Sequence, residues 1–202
     1  MRTLVVIEFV TLDGVMQGLG SADEDRDGGF EHGGWSAAYG TEVSERVNAE
    51  RRAAQSRGDV AAATTAYLFG RRTYEKMAAY WPLQPDDNPM AAHLNASPKY
   101  VATRTLTDLS WPGAERLDGG LPDAVLALKA SGEGSIAVLG SGVLVDQLVE
   151  HDLVDRYRLF VHPLLLGTGK RLFRGSPRPQ PLTLVECTPT ASGVIMLTYD
   201  RM

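Results

Sequence analysis

Cysteine is almost absent from this sequence: Cys187 is the only one among 202 residues. A single thiol cannot form an intramolecular disulfide, and it excludes a zinc site built from several thiolates. The four histidines, His32, His93, His151 and His162, do not have the spacing of metal ligands. We therefore predict no metal site, and a reducing cytoplasm is the expected location.

The sequence also lacks long apolar runs and any concentration of positive charge. Its longest apolar stretches, at 4–7 and 136–139, are far shorter than the roughly 20 residues that span a bilayer. Glu8 and Asp13 interrupt the N-terminal apolar stretch, which argues against a signal peptide. The net charge is -5, without the basic stripe of a nucleic-acid surface. The expected partner is a small-molecule substrate, with no membrane and no nucleic acid.

Strand-like and helix-like segments alternate along the chain. Apolar and β-branched runs predict strands at 3–10, 66–69, 99–103, 136–139 and 156–162, and other segments predict helices at 41–54, at 72–80, from residue 121 onward and through 144–149. The tail at 182–187 and 194–199 is typical of a hairpin. The pattern predicts one α/β domain over 1–202, with a mostly parallel mixed sheet flanked by helices and an antiparallel C-terminal hairpin. A homodimer is expected only as the commonest assembly of such proteins.

Two glycine turns stand where a predicted strand gives way to a helix, which is where open α/β sheets collect ligands. At Gly140, Ser141 and Gly142, the glycines let the backbone approach a pyrophosphate and the serine adds a hydroxyl. The alternative is a tight strand-to-helix corner, because the third glycine of the Rossmann fingerprint and the Gly-Lys-Ser/Thr of a P-loop are both missing.

The second turn places two arginines at a helix start. Gly70 is followed by Arg71, Arg72 and Thr73, and cations at the positive end of a helix dipole are mildly destabilising. Their position indicates an anion site. The alternative is that both guanidiniums are solvated or pair with Glu75 and nearby acids.

Polar residues also follow the strand at 99–103. Thr103 and Arg104, with Thr105, could hold an extra phosphate on an adenosine ribose and so favour NADPH over NADH. The alternative is ordinary strand-end polarity. The segment 16–34 is rich in glycine and acids with little apolar periodicity, so we interpret it as a functional loop or lid.

Five motifs, taken in order over nearly the whole chain, resemble the dihydrofolate reductase-like superfamily. The likeness is to the branch related to the C-terminal reductase domain of the riboflavin-biosynthesis deaminase-reductase. The motifs are Thr11-Leu12-Asp13-Gly14-Val15, His32-Gly33-Gly34-Trp35, Leu68-Phe69-Gly70-Arg71-Arg72-Thr73-Tyr74-Glu75, Val138-Leu139-Gly140-Ser141-Gly142 and Pro163-Leu164-Leu165-Leu166-Gly167-Thr168-Gly169-Lys170-Arg171-Leu172-Phe173.

The resemblance implies an NADPH-dependent reductase that transfers hydride to a small heterocyclic or sugar-bearing substrate, as 5-amino-6-(5-phosphoribosylamino)uracil reductase and dihydrofolate reductase do. In that likeness the cofactor-binding residues are Gly70, Arg71, Arg72 and Thr73 for phosphates, Thr103 and Arg104 for the adenosine phosphate, and Gly140, Ser141, Gly142 and Val143 for the pyrophosphate. A nucleotide-binding protein of the same fold without turnover is the alternative function.

The same likeness makes Asp13 and Trp35 the catalytic candidates, which border the nicotinamide and substrate pocket. Asp13 would direct the proton that accompanies hydride transfer. Each has a structural alternative, because Asp-Gly is a common turn pair and a tryptophan after two glycines can anchor its loop to the core. Gly40 stands where classical dihydrofolate reductases carry a carboxylate, with Glu42 nearby, so folate is not the expected substrate.

Overall fold

In the computed structural model, which describes residues 1–59, 63–175 and 179–202, the strands form one mixed sheet. They are β1 (Thr3–Thr11), β2 (Thr64–Gly70), β3 (Lys99–Ala102), β4 (Ala114–Arg116), β5 (Ser135–Leu139), β6 (Arg156–His162), β7 (Leu182–Pro189) and β8 (Ile195–Arg201). The helices of the same residues are α1 (Glu42–Ser56), α2 (Arg71–Tyr80), α3 (Pro89–Ala96), α4 (Leu121–Ala130) and α5 (Gly142–Glu150), with 3-10 turns at Asp27–Gly29, Trp35–Tyr39 and Trp81–Leu83.

The strand order confirms the predicted fold class. It is β4-β3-β2-β5-β1-β6-β8-β7, in which the first six strands pair in parallel and β8 is antiparallel to both β6 and β7. β1 lies between β5 and β6, while β2 lies on the far side of β5. The chain therefore changes direction across the sheet beside β5, and open sheets bind ligands at the carboxyl ends of strands next to such a point.

Both faces of the central strands are buried, which explains why β1 is apolar almost throughout. Leu4, Val6 and Val10 face a core that includes Val138 of β5 and Leu148 of α5. Because side chains alternate along a strand, the intervening residues of β1 lie on the other face, where Ile7 and Phe9 pack with Phe160 and Val43 of α1. No helix in the described ranges is both long enough and apolar enough to cross a membrane.

Two elements, α3 and β4, were not predicted from the sequence. α3 begins with Pro89 after Asn88, whose side chain accepts the N–H groups of Met90 and Ala91, so an N-cap signal was present. β4 has only three residues, all at least partly exposed, and carries no periodicity to read. The predicted helix bounds also shift slightly, since α1 extends to Ser56 and α2 starts at Arg71.

Candidate active site

Three helices begin at one cleft without a side-chain cap. The N-cap residues Gly70 of α2, Gly120 of α4 and Ser141 of α5 make no side-chain hydrogen bond to their own helix, and all three line the same cleft. The N-cap residues therefore supply no acceptor to the first-turn N–H groups, and three positive dipole ends border the cleft. Such an arrangement suits a ligand with several negative charges.

The cleft includes the carboxyl ends of β2, β3 and β5, and its lining also reaches Thr3 and Ser135 at the starts of β1 and β5. It is lined by every residue that the sequence assigned to the cofactor: Gly70, Arg71, Arg72, Thr73, Thr103, Arg104, Gly140, Ser141, Gly142 and Val143. Its volume is about 2970 Å³. This exceeds the roughly 300–1,000 Å³ of usual small-molecule pockets, because the lining extends well beyond the two glycine turns.

The two glycine turns are in direct contact. The backbone N–H of Gly70 donates to the hydroxyl of Ser141 over 2.9 Å. Gly140 has a φ of 62°, and a Cβ placed on it would lie 3.2 Å from Cγ2 of Thr73. A side chain at residue 140 would therefore meet both backbone strain and the facing turn. The turns present backbone to the cleft, which fits the close approach of a pyrophosphate.

The arginines of the second turn line the cleft and also have carboxylate partners. Arg71 pairs with Glu75 one helical turn along α2, at 3.0 Å. Arg72 pairs with Asp27 of the segment 16–34, at 2.6 Å. Both arginines thus follow the pairing alternative in this structure, while their position at the helix start keeps them within reach of an anion in the cleft.

Asp25 and Asp27 fasten the segment 16–34, hereafter the acidic loop, beside α2. The ammonium group of Lys170 lies 2.8 Å from Asp25 and 2.9 Å from Asp27, and Lys76 of α2 is 3.5 Å from Asp25. The hydrogen bond from Lys170 is the largest influence on the pKa of Asp27 and holds it below its usual value. Burial opposes ionisation of Asp25, yet its lysine contacts still lower its pKa. Both carboxylates therefore remain charged at neutral pH.

The hydroxyl of Thr103 accepts the N–H groups of Thr105 and Leu106, so this side chain fixes the turn after β3. Arg104 is exposed and lines the cleft beside it. The structure thus brings the residues predicted to face an adenosine phosphate to the same cleft as the two glycine turns.

The Asp13 carboxylate accepts hydrogen bonds from backbone N–H groups and a hydroxyl group rather than contributing to the cleft lining. It accepts the hydroxyl of Thr11 at 2.6 Å and the N–H groups of Gly167 and Leu166 at 2.8 and 3.3 Å. The Thr11 hydrogen bond contributes most to its lowered pKa. Asp13 is outside the described cleft lining, and its contacts match the turn-forming alternative. Its catalytic role stays a prediction.

Trp35 is buried and anchors the acidic loop to the core. Its indole N–H donates to the carbonyl of Gln17 at 2.8 Å, and its ring meets that of His162 edge-on. It packs in a small apolar cluster with Val15 and Phe30. Trp35 is not among the residues that line the described cleft. Its contacts match the anchoring alternative, and its role in the pocket also stays a prediction.

Sequence reasoning missed Glu8 as a cleft residue. Glu8 lies in the middle of β1, is 4% exposed, and lines the cleft. Burial raises its pKa well above the usual value, against a smaller opposing effect of the Gly140 N–H. The carboxylate of Glu42, which stands near the classical folate-binding position, instead accepts the N–H groups of Ala191 and Ser192.

The sheet order and the antiparallel C-terminal hairpin define a dihydrofolate reductase-like fold. Dihydrofolate reductase from Enterococcus faecalis, solved with NADP(H), superposes with a TM-score of 0.59 at 14% identity, over 98% of this chain and 96% of that one. The chain belongs to the RibD C-terminal domain family, whose model matches residues 2–196.

Two other solved structures share this fold, and one further relative matches in sequence. A Shewanella sp. PV-4 structure that carries the name of a riboflavin biosynthesis protein has a TM-score of 0.68 at 18% identity, covering 100% of this chain and 99% of that chain. A pyrimidine reductase-like protein from Corynebacterium diphtheriae has a TM-score of 0.65 at 13% identity, with coverages of 100% and 92%. The uncharacterized protein YyaP of Bacillus subtilis is 27% identical over 135 residues, which are 65% of this chain and 71% of YyaP.

Proposed function

We propose that this chain is an NADPH-dependent reductase that transfers hydride to a small heterocyclic or sugar-bearing substrate. The observation that carries the proposal is the convergence of three uncapped helix starts, at Gly70, Gly120 and Ser141, on one cleft. Membership of the RibD C-terminal domain family supports a reductase-type function. The resemblance to an NADP(H)-bound reductase supports the choice of cofactor.

Within this proposal the chain's own residues bind and orient the cofactor, and bound NADPH supplies the hydride. The backbone of the two glycine turns would hold the pyrophosphate, and Arg72 and Arg104 would compensate phosphate charge. The same cleft is lined beyond the turns by Ile7 and Phe9, which are partly exposed and offer an apolar surface against which an unsaturated ring can be placed. Exclusion of water and fixed geometry are the main demands that hydride transfer makes on a protein.

The second candidate is a nucleotide-binding protein of the same fold that does not turn over. The contacts of Asp13 and Trp35 favour it, because both side chains serve the surrounding loops and neither lines the described cleft. The two candidates share the cofactor site and differ only in the space beyond it.

Fluorescence titration with NADPH, followed by acceptor screening, separates these possibilities. We expect saturable NADPH binding, a rise in melting temperature with ligand, and NADPH oxidation when an aminopyrimidine or a pteridine is added. Aminopyrimidines come first because one structural relative is named a pyrimidine reductase-like protein. Saturable binding without oxidation by a broad acceptor panel would favour the binding protein, and no binding of any pyridine dinucleotide would reject both candidates.

A further inference from the structure

Glu8 is an acid in an apolar part of the sheet. It shares the face of β1 that carries Val6 and Val10, and in the register with β6 it lies opposite Leu159. It is 4% exposed, and its Oε1 atom is buried with no hydrogen-bond partner. A buried polar atom without a partner costs about 1–3 kcal/mol, so a carboxyl group here calls for an explanation.

Glu8 lies next to the turn at 140–142, which is proposed to hold the pyrophosphate. Ile7 pairs with Leu139 at the end of β5, so the next residue along each strand brings Glu8 beside Gly140. The Gly140 N–H lies close enough to act on the Glu8 carboxyl. Glu8 also lines the cleft together with Gly142 and Met16. A carboxyl group with one unpartnered oxygen therefore lies beside the turn at 140–142.

Few titratable groups share this face. On α5, Asp146 is paired with Arg174 at 2.9 Å, and that guanidinium lies 3.7 Å from the position of a Cβ on Gly142. On β6, Tyr157 is on the same face, and burial raises its pKa to about 12, so it is neutral. None of these groups is among the causes that act on Glu8, whose raised pKa comes from burial. Burial without a positively charged partner therefore favours the neutral form of the Glu8 carboxyl group.

We propose that Glu8 is a positioning residue for the dinucleotide pyrophosphate: as a neutral acid it supports the 140–142 turn from beneath and keeps negative charge away from the anion. The inference rests on the proposed function, because it concerns the same phosphate site. Its consequence is a proton linkage. An ionised Glu8 would repel the pyrophosphate, so affinity falls as pH rises above the pKa of Glu8, by up to about tenfold per pH unit.

Two substitutions test the role of Glu8, with NADPH and inorganic pyrophosphate as separate probes. Glu8→Gln keeps the size and hydrogen-bonding capacity of the neutral acid but cannot ionise, and Glu8→Leu fills the site without a polar atom. At neutral pH we expect Glu8→Gln to bind both probes as the wild type does and Glu8→Leu to bind them about tenfold more weakly. Thermal unfolding accompanies each titration, because a purely structural Glu8 would change stability and leave affinity unaltered.

A pH series with NADPH, from about pH 5 to about pH 10, supplies the second readout. The infrared band of a protonated carboxyl, identified in the difference between wild type and Glu8→Gln, reports ionisation of Glu8 directly. At each pH we expect wild-type affinity to be retained where the carboxyl band is present and to be lost where the band is absent. The affinity of Glu8→Gln should not change with pH.

The inference is overturned if Glu8→Leu binds both probes normally, if Glu8→Gln binds more tightly than wild type at neutral pH, or if the band disappears while affinity is unchanged. If the protein binds pyrophosphate but not NADPH, the proposed function is rejected. The comparison of the Glu8 variants with pyrophosphate alone would then decide the Glu8 inference. If neither probe binds, both the proposed function and the Glu8 inference are overturned.

Discussion

The hydroxyl of Ser141 accepts the backbone N–H of Gly70 over 2.9 Å and so joins the N-caps of α5 and α2. The two residues are 71 positions apart in the chain. Ser141 makes this contact from a left-handed conformation, with a φ of 68°, which costs a residue with a side chain about 1–2 kcal/mol. One strained serine therefore sets the spacing of the two turns proposed to hold phosphates.

Replacement of Ser141 should loosen both turns at once. Ser141→Ala removes the acceptor and keeps the strain, so we expect a loss of about 1–2 kcal/mol in the free energy of unfolding and weaker NADPH binding. Ser141→Gly removes the acceptor but relieves the strain, so it should recover part of the stability without recovering the affinity. Urea unfolding and NADPH titration measure the two effects separately.

Ser131→Ala is a suitable control, because its hydroxyl donates to Leu128 at the end of α4 and lies outside the cleft lining. It should leave NADPH affinity unchanged. Equal affinities for Ser141→Ala and wild type would contradict the role given to this contact.

The sequence was sufficient to predict both turns because they are local features. Each consists of β-branched or apolar residues, then glycine, then a helix start, and these signals lie within a few residues of one another. The bond between Ser141 and Gly70 could not be predicted in the same way, since it depends on β2 and β5 becoming neighbours. Glu8 was missed for a related reason: which face of a strand is covered depends on elements far away in the chain.

The ion pair between Arg72 and Asp27 predicts a competition with phosphate. Arg72→Ala should weaken NADPH binding by about tenfold, since it removes a charge-assisted contact, and it should change the stability of the free protein little because both side chains are exposed. Asp27→Asn should instead tighten NADPH binding several-fold, because it releases Arg72 and Lys170 from a competing carboxylate. Fluorescence titrations at low and moderate salt compare the two variants.

A matched control is Arg116→Ala, which breaks the exposed pair between Arg116 and Asp118 outside the cleft lining. Its affinity for NADPH should equal that of wild type. Weaker binding by Asp27→Asn would mean that the acidic loop supports the ligand rather than competing with it. The sequence alone did not pair Arg72 with Asp27, because the two residues lie 45 positions apart in the chain.

Asp13→Asn distinguishes the turn-forming role of Asp13 from a catalytic one. An amide cannot accept all three donors of the carboxylate, so we expect a loss of about 1–2 kcal/mol in stability at neutral pH. The lowered pKa of Asp13 gives the sign of the pH effect. Its contribution is present above the unfolded value of 3.8 and is lost as pH falls through the folded pKa, so wild type and variant should converge in acid.

Stability curves at several pH values, together with steady-state kinetics on any acceptor found, check this prediction. Loss of kcat with unchanged stability would restore the catalytic interpretation of Asp13. A stability difference that persists unchanged into acid would show that the carboxylate charge is not what holds the turn.

Lys99 is a completely buried lysine that closes the end of α3. Its ammonium donates to the carbonyls of Leu94, Asn95 and Ser97 and lies 4.8 Å from the ring centre of Trp111. Lys99→Met would leave these carbonyls without their donor, so we expect a loss of about 2–4 kcal/mol in the free energy of unfolding at neutral pH.

The pH dependence of this loss follows from the pKa of Lys99, which burial lowers from 10.5 to about 8. Between these values the unfolded chain binds more protons than the folded one, so folding is favoured as pH rises through that window. Wild-type stability should therefore rise with pH relative to Lys99→Met, as urea unfolding at each pH would show. A constant difference would mean that the three carbonyls keep Lys99 charged throughout.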